Sequence, residues 1–186
     1  SPKLAAFGLW AEQLIAESTG KEGKGLLPIA LEPMVPATAY GPDRNFVYLR
    51  LAGDKNAATD RAAAALTKAG QPVRRIELGD AFDLGGEFFR WEFATVVAGA
   101  LPGIQPFDQP NVQAAKDKTG ALLRQLESGG PPPVLLTTGE VPEFLAQSRP
   151  GDYIALLVYL ADSPRIQGAL DGLRAALLER YRLPVT

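Results

Sequence analysis

The sequence predicts an α/β fold, an open, mostly parallel sheet with helices on both faces in a three-layer sandwich, and three observations lead there. Short runs rich in β-branched and aromatic residues alternate with segments of helical period along the whole chain. One run, Tyr153 to Leu160 (YIALLVYL), is almost continuously apolar, as a central strand covered on both faces must be. The strands are too few to close a barrel, so the alternation implies right-handed helical crossovers in an open twisted sheet.

Leu4, Phe7, Trp10, Leu14 and Ile15 recur at three-to-four-residue spacing, which predicts a helix from about Pro2 to about Ser18, stopped by Gly20. Gly20, Gly23 and Gly25 mark a loop. Phe46 to Leu51 reads as a strand between the turn-forming run Gly41 to Asn45 and Gly53. Asn56 can cap an Ala-rich helix to Ala69, ended by Gly70, and Val73 to Leu78 is the next strand. The mostly apolar segment from about Gly85 to Leu101 predicts a largely buried helix, closed by Pro102 and Gly103. Asp108 and Pro110 stand where a cap and a first helical residue belong, opening a helix to Glu127. Val134 to Thr138 reads as a short strand and Pro142 to Gln147 as a short helix. Ser163 and Pro164 start a last helix with Ile166, Leu170, Leu173, Leu177 and Tyr181 on one face.

The chain has 186 residues, enough for one domain with a core, and its 46% apolar and 22% charged composition is that of an ordinary globular protein. A net charge of −2 and a pI near 5.3 offer no positive field for a nucleic-acid backbone. The longest apolar stretch, Tyr153 to Ala161, falls far short of the roughly 20 residues of a membrane helix, and the expected location is cytoplasmic. Cysteine and histidine are both absent, which removes thiolate chemistry, serine triads and the commonest metal ligand. Asp, Glu, Lys and Tyr are left for acid/base work. No acidic spacing suggests a metal, and no cofactor is expected. The chain starts with Ser1 and Pro2 rather than Met, one residue before a helical pattern, which suggests a piece of a longer protein.

Two segments could carry chemistry. Glu17 ends an apolar-faced helix just before a glycine-rich loop, where a partly desolvated carboxylate is suited to take a proton from a carbon beside a carbonyl. A solvated helix-end residue followed by an ordinary turn is the plainer alternative. Lys21 and Lys24 among Gly20, Gly23 and Gly25 suggest a phosphate cradle only weakly, since the loop follows a helix instead of opening one. Gln109 and Lys116 lie two helical turns apart near one face, where an amide and an amine could reach sugar hydroxyls and a ring oxygen; a capped surface helix fits as well. Arg90 either points outward or needs a buried partner, as does Glu92, and Trp10 and Trp91 read as packing residues.

ESTGKEGKG (Glu17 to Gly25) and PFDQPNVQAAK (Pro106 to Lys116) resemble the two signature regions of phosphoglucose isomerases. The surrounding text, FGLWAEQLIAESTGKEGKG and GGEFFRWEFATVVAGALPGIQPFDQPNVQAAKDKT, is most similar to the isomerase half of bifunctional transaldolase/phosphoglucose isomerase proteins. The resemblance implies a single sugar isomerase (SIS) domain of flavodoxin-like architecture over residues 1–186, the second of two in its parent. It implies that glucose 6-phosphate and fructose 6-phosphate interconvert through an enediolate, with Glu17 as base, Lys116 assisting ring opening, and Gln109, Ser18 and Thr19 on the substrate. The implied partners are a sugar phosphate, the first sugar isomerase domain and a second copy of the chain in a homo-oligomer, with no nucleic acid and no membrane. A ring-opening histidine, a charge-steadying arginine and the phosphate-binding Ser and Thr of the family have no counterpart here, so the resemblance implies that they come from other chain and that the 186 residues alone are inactive. The competing reading from another class is a phosphosugar-binding or regulatory domain without chemistry.

Overall fold

A computed structural model of the chain describes residues 1–108, 110–133 and 137–186, with the backbone alone at Asn111. A 3-10 turn at Pro2–Leu4 leads into α1 (Ala5–Thr19), which ends at Gly20 as the sequence predicts. β1 (Phe46–Leu51), α2 (Ala57–Lys68) and β2 (Val73–Leu78) form a β–α–β unit, the strands pairing in parallel from Phe46 against Val73 to Leu51 against Leu78. Both strands occupy their predicted ranges. Asn56 stands before α2 without making the expected side-chain cap; its amide is buried and donates to the Leu51 carbonyl, holding the β1–α2 turn instead. Gly70, at φ +84°, closes the other end of α2.

α3 (Leu84–Ala100), α4 (Pro110–Glu127), α5 (Val141–Leu145) and α6 (Pro164–Tyr181) follow. Ser163 Oγ accepts from the Ile166 amide and caps α6, with Pro164 at its first position. The chain is thus a mixture of helices and a small parallel sheet, compatible with an α/β fold. Among the described residues the sheet has two strands. The predicted strand Val134 to Thr138 lies mostly outside them; Thr137 and Thr138 are not extended into one. Tyr153 to Leu160, expected as a buried central strand, is irregular and makes one parallel bridge, Ile154 to Val185. Ile154 and Leu156 face a core cluster, whereas Leu157, Tyr159 and Leu160 are exposed because no neighbouring strand covers the run among the described residues.

Among the described residues two clusters form the core. Val35, Ala39, Tyr40, Leu66, Leu178 and Val185 join the 35–40 segment, α2, α6 and the C-terminal residues. Leu4, Leu51 and Leu78 join the start of the chain to the ends of both strands. Around them Arg50 Nε meets Asp60 at 3.0 Å and Tyr48 donates to the same carboxylate, so the Arg50 hydrogen bond holds the Asp60 carboxyl below its ordinary range. Burial pushes the Glu32 carboxyl up, only partly countered by Arg44 and Arg174.

α3 corrects a prediction. One side packs on α1 through an aromatic cluster, Phe7 against Trp10, Phe88 and Trp91 with centroids 5.0–6.1 Å apart, and Trp10 against Phe88 at 4.5 Å. The opposite side is not buried: Phe89, Phe93, Val97 and Leu101, one turn apart in succession, are exposed. Arg90 points outward and pairs with the buried Glu87 at 3.0 Å, and Glu92 is exposed.

Candidate functional site

The packing of α1 on α3 fixes where the last turn of α1 goes, and the site begins there. Thr19 is 1% exposed; its hydroxyl donates to the Ile15 carbonyl at 2.8 Å and accepts from the Leu26 amide at 3.1 Å. That bond closes the glycine-rich loop back onto the helix end. The closure requires glycine at position 25, where φ is +114° and a Cβ would stand 2.2 Å from the Thr19 carbonyl oxygen.

The other half of the site descends from the end of α3. Gly103, at φ +74°, and the Ile104 amide on the Gly99 carbonyl at 2.8 Å stop the helix and bury Ile104. The chain then passes through Pro106 and Asp108 into α4. Lys21 reaches across from the glycine-rich loop and is 4% exposed. Its ammonium donates to the Gln105 carbonyl at 2.7 Å, to the Asp108 carbonyl, and to Asp108 Oδ1 at 2.8 Å. Lys24 adds a bond to the Pro102 carbonyl at 3.1 Å. Both lysines therefore fasten loop to loop. A phosphate cradle built on Lys21 is ruled out by geometry, since all three of its N–H groups already have acceptors. Asp108 serves as the partner of Lys21, where the sequence suggests it only as a helix cap.

Between these halves lies a cleft of about 370 Å³, lined by Gln13, Ala16, Glu17, Gly20 and Lys21 on one wall and Pro110 and Val112 on the other. The two signature-like segments thus meet, with Glu17 at the cleft. Glu17 is exposed, contrary to the expected desolvation, because no described segment covers the last turn of α1. Ser18 is half-buried and lies outside the cleft walls; Thr19 is beneath them, engaged in closing the loop. Lys116 is exposed on α4, six residues beyond Pro110 and roughly 9 Å along the axis, and is not among the lining residues. Gln109 lies outside the described residues.

The structure adds Gln13 to the residues singled out by sequence and gives Lys21 a role other than the phosphate contact the sequence weakly suggests. Gln13 precedes Glu17 by one helical turn, so i, i+4 spacing would have found it. Lys21 could not be assigned its role by spacing, because its acceptors are 84 and 87 residues away. Among the described residues no group of three His, Cys, Asp or Glu side chains could hold a metal ion, and no helix is long and apolar enough to cross a membrane.

Fold and cleft together give a chain of helices and a small parallel sheet with a carboxylate and an amide on one wall of a small-molecule-sized opening, at the mouth of a glycine-closed loop. No protein-family model matches the chain. It is similar to glucose-6-phosphate isomerases from Streptococcus pyogenes, among them those of strain Manfredo and strain NZ131, each 30% identical over 158 residues, covering 66% of this chain and 35% of the relative. The chain therefore spans about a third of the length of these curated relatives.

Proposed function

We propose that the chain is the second sugar isomerase domain of a glucose-6-phosphate isomerase, folded as a three-layer α/β sandwich once the rest of its parent is present. One observation carries the reading. The two segments that resemble the isomerase signatures, far apart in sequence, converge on one cleft with Glu17 at it, in a chain similar to glucose-6-phosphate isomerases.

In the proposed reaction the sugar first opens, the ring oxygen gaining a proton as the C1 hydroxyl loses one, with the Lys116 ammonium and the Gln109 amide on the sugar. The Glu17 carboxylate then removes the C2 proton of the aldehyde, and the electron pair of that bond forms the C1–C2 double bond of an enediolate. Return of the proton to C1, with the O2 proton passing to O1, leaves the ketone, and atoms and electrons balance without a cofactor. Gln13 and Gln109 supply neutral contacts to hydroxyls, while Thr19 supports the loop from below. The exposure of Glu17 fits a site that needs a covering segment, for which the first sugar isomerase domain and a second copy of the chain are the proposed sources. Such cover would exclude bulk water from the proton transfer.

The test is Glu17→Gln in the complete protein, assayed by coupled turnover of fructose 6-phosphate. The expected fall in kcat is about 10²–10⁴-fold, the range for loss of a general base. Near-wild-type turnover would sink the assignment. If the unsubstituted protein binds fructose 6-phosphate by calorimetry yet shows no turnover, the regulatory reading replaces it.

A further inference from the structure

We infer that Lys21 is a positioning residue, which sets the width of the cleft by tying the end of α1 to the turn that opens α4. The inference rests on the isomerase reading above and deepens it. Three features of the side chain lead to it. Lys21 is almost completely buried, although its ion-pair partner Asp108 is 57% exposed. Two of its three acceptors are main-chain carbonyls, of Gln105 and Asp108, so it grips the path of the backbone rather than a mobile side chain. It also lines the cleft itself, four residues after Glu17 on one wall and bonded to the turn that leads into Pro110 and Val112 on the other.

A buried ammonium with three acceptors is directional, and each bond to a charged donor is stronger than a neutral one. Removing it takes one charged donor from each of the Gln105 and Asp108 carbonyls and the cation from the Asp108 carboxylate. The turn then moves out toward water, and the start of α4 moves with it. Lys24, half exposed and bonded to Pro102 before the turn, cannot hold the far side. Displacement of the second wall by on the order of 1 Å is enough to spoil alignment between a base and a C–H bond, at a cost of about 10²-fold in rate.

The experiment compares Lys21→Met, Asp108→Ala and Glu17→Gln with the unsubstituted complete protein, reading kcat and KM for fructose 6-phosphate per folded molecule, with the folded fraction set by circular dichroism. Lys21→Met is expected to lower kcat about 10²-fold, because misalignment is felt in the transition state. KM should stay within about threefold, because ground-state contacts to the hydroxyls survive. Asp108→Ala, which removes one acceptor at the surface, should give a smaller loss in kcat of the same kind. A side chain needed only for folding would instead lower the folded fraction and leave kcat per folded molecule unchanged, and that result overturns the inference. If Lys21→Met does not fold, Asp108→Ala decides, wild-type kcat there being the overturning result. Retained turnover in Glu17→Gln marks failure of the isomerase reading; loss in Glu17→Gln beside normal kcat in Lys21→Met marks failure of this inference alone.

Discussion

Substituting Gly25 by Ala tests how the site loop is built, and Gly23→Ala supplies the control. Both glycines have positive φ, +114° at Gly25 and +69° at Gly23, but only Gly25 is crowded: its added Cβ would lie 2.2 Å from the Thr19 carbonyl oxygen and 2.6 Å from the carbonyl carbon, whereas nothing lies within 4 Å at Gly23. Ala at 23 pays a left-handed conformation, about 1–2 kcal/mol, partly offset by a stiffer unfolded chain. At 25 the backbone strain is roughly 1–3 kcal/mol. The clash must also be relieved by moving the loop off the helix end, which breaks the Thr19–Leu26 bond at a further cost of about 1 kcal/mol. The total comes to about 3 kcal/mol, a fall in Tm of roughly 6–12 °C for a chain of this size, against roughly 2–4 °C for Gly23→Ala. Thermal unfolding followed by far-ultraviolet circular dichroism measures both. Equal shifts for the two variants would refute the close approach of Gly25 to Thr19 as the reason for glycine there.

Two further predictions concern pH and have opposite signs. Asp60, whose folded carboxyl is held below the ordinary value of 3.8 chiefly by the Arg50 hydrogen bond, contributes stability that is present above that value and lost as pH falls through the folded one. Asp60→Asn should therefore be less stable near neutrality and lose less on acidification to pH about 3, read as the urea midpoint. Glu32, raised above 4.5 mainly by burial, favours the folded state when protonated, so its contribution falls as pH rises from 4.5 through the folded value. Glu32→Gln should flatten that decline; an unchanged pH slope would count against burial of this carboxyl.

The local elements were largely legible because their signals are local. Phe46–Leu51 and Val73–Leu78 are bounded by turn residues, and Ser163-Pro164 is a helix start that needs no tertiary information. Tyr153 to Leu160 was misread for a physical reason: an unbroken apolar run records that the segment must be covered, without saying by what. The same holds for α3, whose apolar residues on all sides imply cover on all sides, while α1 supplies it on one. At the site, Glu17 and the start of α4 were visible as a helix end and a helix beginning, and Gln13 was within reach of a spacing argument. The exposure of Glu17 was not, since it depends on what lies over the last turn of α1. Nor was the role of Lys21, because charge and spacing cannot tell a lysine that meets a ligand from one that meets distant carbonyls.

The Lys21–Asp108 contact also bears on the order in which the molecule assembles. It closes a loop of 87 residues, for which chain entropy alone costs roughly 4 kcal/mol before any bond is made. The β1–α2–β2 unit lies wholly inside that loop and depends on much shorter-range pairing. Loop-closure cost makes contacts of this separation expected late, with the cleft completed after the sheet, an order that φ-values at Lys21 and Leu49 would check. A late contact is absent from the rate-limiting barrier, and weakening it speeds unfolding while leaving folding nearly as fast. The Lys21→Met substitution is therefore expected to raise the unfolding rate more than it lowers the folding rate, read by stopped-flow denaturant jumps.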